Sequence, residues 1–442
     1  MTQNLTAAQR LLALIDQSPT AYHAADNLRR EFERSGFSLY DPGSELQAGD
    51  RRYFSAGGAS LFAFTVGTDA LMNGFQLIGT HLDGPGLKIK PNSLVEQAGC
   101  LCLNTEVYGG PILHTWFDRP LSIAGQVVMA CEDHTGIETR LVDMARPILI
   151  LPSLAIHMDR DVNTSHGVDR VKTLLPVAGI GKRPDGGDWL FGLLAEQLQV
   201  DESRILDTSL FLYDTAPGCL MGRDNEMISA SRLDNLGMAA AAADAMIAAA
   251  PAAGIQLAAF FDHEEVGSQT RQGASSATLA QLMEQIVYSL GGSRRDYLAA
   301  LKPSFLLSAD QAHAQHPHYP EMADRTNQPR INGGPAIKIS ASQSYVSDAE
   351  SMAVIRAICR KAEIPCQTYA NRSDQRGGST IGPLTVQRLP VRAVDIGNPI
   401  WGMHSVRETG GTMDQQSMQD LMGAFLRYVS LYKPHTERGT SL

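Results

Sequence analysis

Hydrophobic and polar positions follow two different periods along this chain. Between residues 5 and 16, apolar side chains recur every three or four positions, which predicts an amphipathic helix. Continuous apolar runs at residues 60–66, 75–80 and 255–261 instead indicate buried strands. Helices that alternate with buried strands are typical of an α/β domain.

The same patterns predict a second helix near the start and further elements after residue 227. Ser18 and Pro19 suit the N-cap and the first position of a helix that runs to about Arg34 and ends at Gly36. The later predicted helices span residues 236–250, 277–290, 349–362 and 415–432, and the later strands span residues 305–307, 334–339 and 391–394. These elements continue the α/β pattern.

The pattern changes in the middle of the chain, where short β-like runs alternate with turns and helical periodicity is weak. The runs span residues 121–129, 137–142 and 147–151, with one short helix at residues 189–198. We therefore predict a β-rich module at residues 93–227, inserted between the two parts of an α/β domain at residues 1–92 and 228–442.

Composition and charge narrow the possible partners and location. Apolar residues make up 43% and charged residues 19% of the 442 positions, as in a soluble globular protein. A net charge of −10 argues against a nucleic-acid partner, and no apolar run reaches the roughly 18 residues of a membrane span. The first residues lack the features of a secretory signal, and the six cysteines form no C-x-x-C pair. We expect a cytoplasmic protein with reduced thiols.

Four consecutive ionisable residues, Asp262 to Glu265, follow the buried strand at residues 255–261. Adjacent carboxylates raise each other's pKa, and a bound cation removes that conflict. One glutamate could then bind metal while the other accepts a proton from water. The residues alone leave open which glutamate does which, and so short a motif also occurs at ordinary solvated strand ends.

Four more loops carry candidate ligands. His81 and Asp83 follow the strand at residues 75–80 and point to one face because they are two positions apart. Asp310 and His404 follow later strands, and Asp234 precedes a helix that it would cap in isolation. Because ligands bind beyond the carboxyl ends of strands in α/β sheets, we expect these side chains to form one site with Glu264 and Glu265.

Two histidines, two aspartates and a glutamate, with no thiolate, are enough for two divalent metals if one aspartate bridges them. Such a nitrogen and oxygen set suits zinc, with cobalt or manganese as alternatives. Two such ions polarise a carbonyl and activate water, so the pattern predicts a hydrolase.

Eight segments spread over nearly the whole chain resemble the M18 metallopeptidases, the aspartyl aminopeptidase family. They are SPTAYHA (18–24), GTHLDGPGLKIKP (79–91), SRLDN (231–235), FFDHEEVGSQT (260–270), SADQAHAQHP (308–317), GPAIKIS (334–340), STIGP (379–383) and MHSVRE (403–408). The resemblance implies a catalytic α/β domain of the co-catalytic zinc aminopeptidase type, interrupted by a β-rich domain used in oligomer assembly.

The resemblance also implies a ligand set for two zinc ions. Asp234 would bridge them, His81 and Asp310 would complete one metal site, and Glu265 and His404 would complete the other.

Further roles follow from the same resemblance. Glu264 would be the general base, and Asp83 would support His81 electrostatically. Family members remove N-terminal residues from peptides, several with a preference for Asp or Glu, and Lys338 matches the position that faces the acidic side chain. Taken alone, Lys338 is typical of a strand lysine that reaches the surface.

The remaining candidates concern substrate contact and assembly. His157, from the β-rich module, and His316 would contact the substrate or lie at a subunit boundary. Some relatives have Pro-Cys-Gly where this chain has Arg376, Gly377 and Gly378, and we expect a loop here whose backbone N–H groups face the substrate. Family members assemble from dimers into tetrahedral dodecamers that enclose their active sites.

Three other functions remain open from the sequence. The chain could be an aminopeptidase of the same family that prefers neutral N-terminal residues, because the acidic pocket depends on Lys338 alone. It could be a related two-metal amidohydrolase, such as a carboxypeptidase or deacylase. A self-assembling shell protein without activity is disfavoured by the complete set of candidate ligands.

Overall fold

The computed structural model describes residues 5–132, 135–165, 167–182, 188–375 and 377–427. Its α-helices are α1 (Thr6–Asp16), α2 (Ala21–Arg34), α3 (Ala70–Asn73), α4 (Trp189–Leu198), α5 (Leu233–Ala248), α6 (Thr278–Ser289), α7 (Arg294–Leu301), α8 (Ala349–Lys361), α9 (Ile381–Arg388) and α10 (Thr412–Arg427). Its strands are β1 (Ser38–Leu39), β2 (Arg51–Gly57), β3 (Ser60–Thr65), β4 (Phe75–His81), β5 (Gly86–Gln97), β6 (Cys100–Tyr108), β7 (Leu121–Ala130), β8 (Ile137–Asp143), β9 (Val177–Ile180), β10 (Ile205–Asp214), β11 (Cys219–Met221), β12 (Met227–Ala230), β13 (Ile255–Phe261), β14 (Phe305–Ala309), β15 (Ala312–His313), β16 (Ala336–Ile339), β17 (Gln367–Ala370), β18 (Arg392–Gly397), β19 (Pro399–Ile400) and β20 (Glu408–Gly411). None of the helices in these ranges has the length and hydropathy that a membrane crossing requires.

Nine strands form one mixed sheet in the order β1-β2-β3-β13-β4-β14-β18-β16-β17. Its four central strands, β13, β4, β14 and β18, run parallel, whereas β3 and β16 flank them antiparallel. The predicted α/β class is therefore confirmed. The carboxyl ends of the four central strands meet at one edge, which is where a ligand site forms in such sheets.

Helices cover both faces of this sheet. On β13, Ala258 and Phe260 pack into a core shared with α1, α2, α5, α8 and α10. Leu257 and Phe261, on the opposite face, pack into a second core shared with α6, α7 and α9. A strand buried on both faces has no polar alternation, which explains the continuous apolar run at residues 255–261.

The β-rich module is a six-stranded antiparallel sheet in the order β8-β7-β10-β5-β6-β9. It has its own apolar core, to which α4 contributes Leu190 and Leu194. Because β5 begins at Gly86, the predicted boundary after residue 92 falls inside one of its strands. The exact domain limits stay a prediction.

Two local predictions were wrong. Residues 147–151 form no strand and make only single bridges, between Leu149 and Leu121 and between Ile150 and Val177. Helix α2 begins at Ala21 rather than Pro19, and Thr20 is its N-cap. The predicted helix after residue 415 is α10, and its predicted extension to residue 432 lies outside the described residues.

Candidate active site

The carboxyl ends of three parallel strands bring most of the candidate ligands together. His81 is the last residue of β4, and Asp310 directly follows β14. His81 lies opposite Phe261 in the β13–β4 register, so the turn after β13 starts beside it. That turn passes through His263, whose φ of 62° reverses the chain and presents Glu264 and Glu265 to the same edge.

Asp234 and His404 reach this edge from outside the central strands. Both have backbone N–H groups that donate to one carboxylate, that of Glu408 at the start of β20, with the Asp234 bond at 2.9 Å and the His404 bond at 2.7 Å. Burial, together with the nearby charge of Asp234, raises the pKa of Glu408 to about 8. Asp234 lies in the first turn of α5 but has non-helical backbone angles, so the predicted capping role is replaced by this contact.

The side chains form two adjacent groups that share Asp234. In one group, His81 Nε2 lies 3.5 Å from Asp234 Oδ1 and 3.4 Å from Asp310 Oδ1. In the other, His404 Nε2 lies 3.6 Å from Asp234 Oδ2 and 3.5 Å from Glu265 Oε2. Each oxygen of Asp234 therefore faces a different histidine.

Backbone carbonyls orient both histidine rings. His81 Nδ1 lies 3.0 Å from the carbonyl oxygen of Asp83, and His404 Nδ1 lies 3.1 Å from that of Gly110. Because a carbonyl only accepts, each Nδ1 carries the proton and donates it. In the neutral ring, Nε2 then carries a lone pair that points into the site, as in metal-binding histidines.

The donor set fits a divalent metal. Asp234 Oδ1 and Glu265 Oε1 are buried and have no hydrogen-bond donor among the described residues. His81, Asp234 and Glu265 each offer a ligand atom, and these atoms lie within 4.8 Å of one another. A buried carboxylate without donors is costly unless a cation compensates it, and nitrogen and oxygen ligands of this kind suit zinc.

The acidic side chains of the site have divergent proton affinities. Burial raises the pKa of Glu264 to about 8, with help from the charges of Asp310 and Asp83. Burial and the charge of Asp234 raise the pKa of Glu265 well above its usual range. At Asp234 burial acts in the same direction, but the His404 and His81 rings outweigh it and hold the pKa below its usual value. Such separation allows neighbouring carboxyl groups to take different roles.

Asp83 aligns the two glutamates. Its Oδ1 accepts the backbone N–H of Glu264 at 3.0 Å, and its Oδ2 accepts that of Glu265 at 3.1 Å. Tyr108, from the β-rich module, also donates its hydroxyl to Asp83 Oδ2 at 2.8 Å. Asp83 Oδ1 lies 3.4 Å from His81 Nδ1 as well, so one carboxylate touches both the histidine and the turn.

Lys338 lies in a pocket of about 240 Å³ beside these groups. This inner pocket is bounded by His81, Asp234, Glu264, Lys338, Tyr345 and Thr380. Lys338 is only 2% exposed, so the expectation of a lysine that reaches the surface is wrong. Its Nζ lies 3.3 Å from Asp310 Oδ2 and 5.3 Å from the centre of the Tyr345 ring.

The structure does not bring all predicted residues to the inner pocket. His157 lies on an exposed loop of the β-rich module and does not line it. His316 lines a second pocket of about 330 Å³, and Gly378 lines both pockets. Arg376 lies outside the described residues.

Three contributors were missed by the sequence interpretation. Glu408 is an acidic residue four positions after His404, inside the segment MHSVRE. Its place in that segment was a sequence signal that could have identified it. Tyr108 and the carbonyl of Gly110 come from the β-rich module, where no local pattern points to the site.

Comparisons with known proteins agree on one family. A family model described as aminopeptidase I zinc metalloprotease (M18) matches residues 14–426. A probable M18 family aminopeptidase 2 of Clostridium acetobutylicum is 44% identical over 424 residues, which cover 95% of this chain and 98% of the relative. The corresponding protein of Clostridium novyi is 43% identical over 419 residues, which cover 94% of this chain and 97% of the relative.

Solved structures give the same result. Ape4, in its complex with Nbr1, superposes with a TM-score of 0.91 at 33% identity, over 96% of this chain and 86% of that one. Chaetomium thermophilum mApe1 superposes with a TM-score of 0.86 at 29% identity, over 96% of this chain and 97% of that one.

Proposed function

The chain belongs to the M18 family of zinc aminopeptidases, and on that premise we propose that it removes Asp and Glu from the N-termini of peptides at a two-metal centre. The observation that carries the proposal is the position of Asp234, whose two oxygens face two different histidines. A carboxylate placed in this way is suited to bridge two cations.

Two overlapping ligand sets support the metal count. His81, Asp234 and Asp310 would hold one ion, and Asp234, Glu265 and His404 would hold the other. Zinc is the expected metal, with cobalt or manganese able to use the same donors. Bound zinc would supply Lewis acidity, which polarises the scissile carbonyl and makes water a stronger acid.

Glu264 is the proposed general base. It accepts a proton from the attacking water and returns it to the leaving amine. Its raised pKa suits a group that must both take and give a proton near neutral pH, and cations at the neighbouring carboxylates would bring that pKa down. Asp83 positions the base because it holds the backbone N–H groups of Glu264 and Glu265.

Lys338 is the proposed selector for acidic N-terminal residues. Its ammonium is buried in the inner pocket. The described residues that line this pocket include no other lysine or arginine to which a substrate carboxylate could bind. Asp310 raises the pKa of Lys338 although burial acts to lower it, so the side chain is charged. A preference for neutral residues is the second candidate, since Asp310 already neutralises part of that charge.

Assembly into a homo-oligomer, with dimers building a tetrahedral dodecamer, is part of the proposal. The loop that carries His157 exposes three apolar side chains, with Leu154 59%, Ile156 46% and Met158 75% exposed. Exposed apolar side chains so close together support a protein contact. We propose that the partner in this contact is a second copy of the chain. His157, on this loop, and His316, at the second pocket, are proposed to contact the substrate or a neighbouring subunit.

Two further points of the proposal concern organisation and location. The β-rich module is proposed to begin with β5, at Gly86, and to end before β12, compared with the predicted limits at residues 93 and 227. A cytoplasmic location agrees with the six cysteines, all of which are free thiols.

Hydrolysis of matched Asp-, Glu- and Leu-anilides tests the function. The zinc- or cobalt-loaded protein should turn over the acidic pair, and a chelator should abolish the activity. Faster turnover of the Leu compound would leave the metal centre in place and replace the acidic preference with a neutral one. No turnover of any compound by the metal-loaded protein would contradict the proposal.

A further inference from the structure

A second pocket opens beside the inner pocket. This outer pocket has a volume of about 330 Å³, larger than the 240 Å³ of the inner one. Among the described residues, His313, Tyr369 and Gly378 line both, so the two pockets share a wall. If the first residue of a peptide fills the inner pocket, the outer pocket is the neighbouring space across the shared wall into which the second residue can extend.

The outer pocket is lined by polar side chains and by several large aromatic and thioether side chains. Tyr319, Met322 and Trp401 all contribute to it. The indole N–H of Trp401 already donates to the carbonyl of Gln315 at 2.9 Å, so its polar edge is occupied and its apolar surface remains. The Tyr319 ring lies 5.2 Å from that of His316, which extends the aromatic surface.

Among the described residues, the cation that lines the outer pocket is already paired. Arg372 is the one arginine or lysine among the described residues that line it. Its Nε and Nη2 donate to the two carboxylate oxygens of Asp374, at 2.6 and 2.7 Å, and its Nη1 donates to the Glu321 carbonyl at 2.8 Å. The two pockets therefore differ in their cations. Arg372 is held by Asp374 in the outer pocket, whereas Lys338 is buried beside the proposed reacting groups in the inner one.

We propose that the outer pocket binds the side chain of the substrate's second residue and selects an aromatic or large aliphatic side chain there. The inference rests on the proposed function, because it needs a peptide whose first residue occupies the inner pocket. The enzyme then selects two positions by different physics, with charge at the first residue and apolar burial at the second.

Two zinc-loaded peptide reactions measure this preference, those of Asp-Phe-Gly-Gly and Asp-Gly-Gly-Gly. The wild-type kcat/KM for the Phe peptide should exceed that for the Gly peptide by about tenfold or more, as expected for burial of most of a Phe side chain. The ratio should fall close to unity in the double variant Tyr319→Ala/Met322→Ala. Leu298→Ala removes a comparably exposed apolar side chain from α7, outside the pocket, and should keep the wild-type ratio.

A negative charge introduced into the outer pocket should produce a new preference for a basic second residue, which damage to the fold could not produce. Tyr319→Glu should shift the preference from Asp-Phe-Gly-Gly toward Asp-Lys-Gly-Gly by about tenfold, since the new carboxylate attracts the second-residue ammonium.

The outcomes separate the two levels of the argument. Cleavage of all three peptides at one rate, or an unchanged ratio in both pocket variants, would overturn the outer-pocket inference and leave the aminopeptidase activity standing. Cleavage of none of them by the zinc-loaded protein would overturn the proposed function and this inference together.

Discussion

Asp395 and Asp234 are both buried aspartates close to the nine-stranded sheet, but the hydrogen bonding of their carboxylate oxygens differs. Asp395, on β18, accepts hydrogen bonds from the Thr380 hydroxyl at 2.8 Å and from the Val346 N–H at 2.6 Å. Asp234 Oδ1 has no donor among the described residues. The first carboxylate is satisfied by the protein and supports the fold, whereas the second fits the proposed role of a metal ligand.

The pair of substitutions Asp234→Asn and Asp395→Asn tests this difference most severely. Asp234→Asn should lower the zinc content below two ions per chain and kcat/KM by about a thousandfold or more, because the shared ligand is lost. Asp395→Asn should keep both zinc ions but lower the free energy of unfolding by about 1–3 kcal/mol, because one buried donor loses its acceptor. Metal analysis, kinetics and chemical denaturation of both variants provide the measurements.

The opposite pattern would break the comparison. If Asp234→Asn keeps two zinc ions, or if Asp395→Asn loses them, bare oxygens do not mark the metal site in this protein.

A second test separates binding from chemistry within the adjacent glutamates. Glu264→Gln should lower kcat by about 10²–10⁴-fold, the usual contribution of a general base, while two zinc ions stay bound. Glu284→Gln, on α6 and outside the pockets of the site, is the control and should keep wild-type turnover. Near-normal turnover in Glu264→Gln would remove the assignment of the base.

Lys338 sharpens the comparison further, because it is the cation that the protein itself places beside a proposed ligand. Lys338→Met should lower kcat/KM for Asp- and Glu-anilides by about 10–100-fold, the value of a charged hydrogen bond, and change the Leu-anilide far less. Lys302→Met, at an exposed lysine, should change neither. Equal losses on acidic and neutral substrates would show that Lys338 positions Asp310 through their ion pair and does not bind the substrate side chain.

Much of the site could be predicted because its residues stand at the ends of strands with strong local patterns. The strand at residues 255–261 was predicted with its observed limits, and His81, Asp310 and the two glutamates follow from the strand-end rule. Asp234 fits that rule poorly. Its backbone conformation accompanies a hydrogen bond to Glu408, 174 positions away, and no local pattern contains such a partner.

The β-rich module was harder to predict for the same physical reason. Strand β5 pairs with β6 from Gly86 onward and also pairs with β10, and pairing partners are not encoded in the strand's own pattern. Pro147 begins the run at residues 147–151 and Pro152 follows it, and both lack backbone donors, which limits the run to single bridges. Tyr108, at the end of β6, reaches Asp83 only because the two domains pack together.

Tyr108→Phe is therefore the mildest and most specific test of how far the module takes part in the site. The substitution removes the 2.8 Å hydrogen bond to Asp83 Oδ2 and leaves the ring in place. Zinc affinity or kcat/KM should fall by about tenfold, the lower end of the effect of partners that orient metal ligands. Tyr22→Phe loses a comparable hydroxyl contact, to Ser209 at 3.0 Å, without touching Asp83, and should keep both values. A matching loss in the two variants would mean that the junction between the domains matters as a whole. A loss confined to Tyr108→Phe would mean that the β-rich module holds Asp83, and through it Glu264 and Glu265, in the geometry that the metal centre needs.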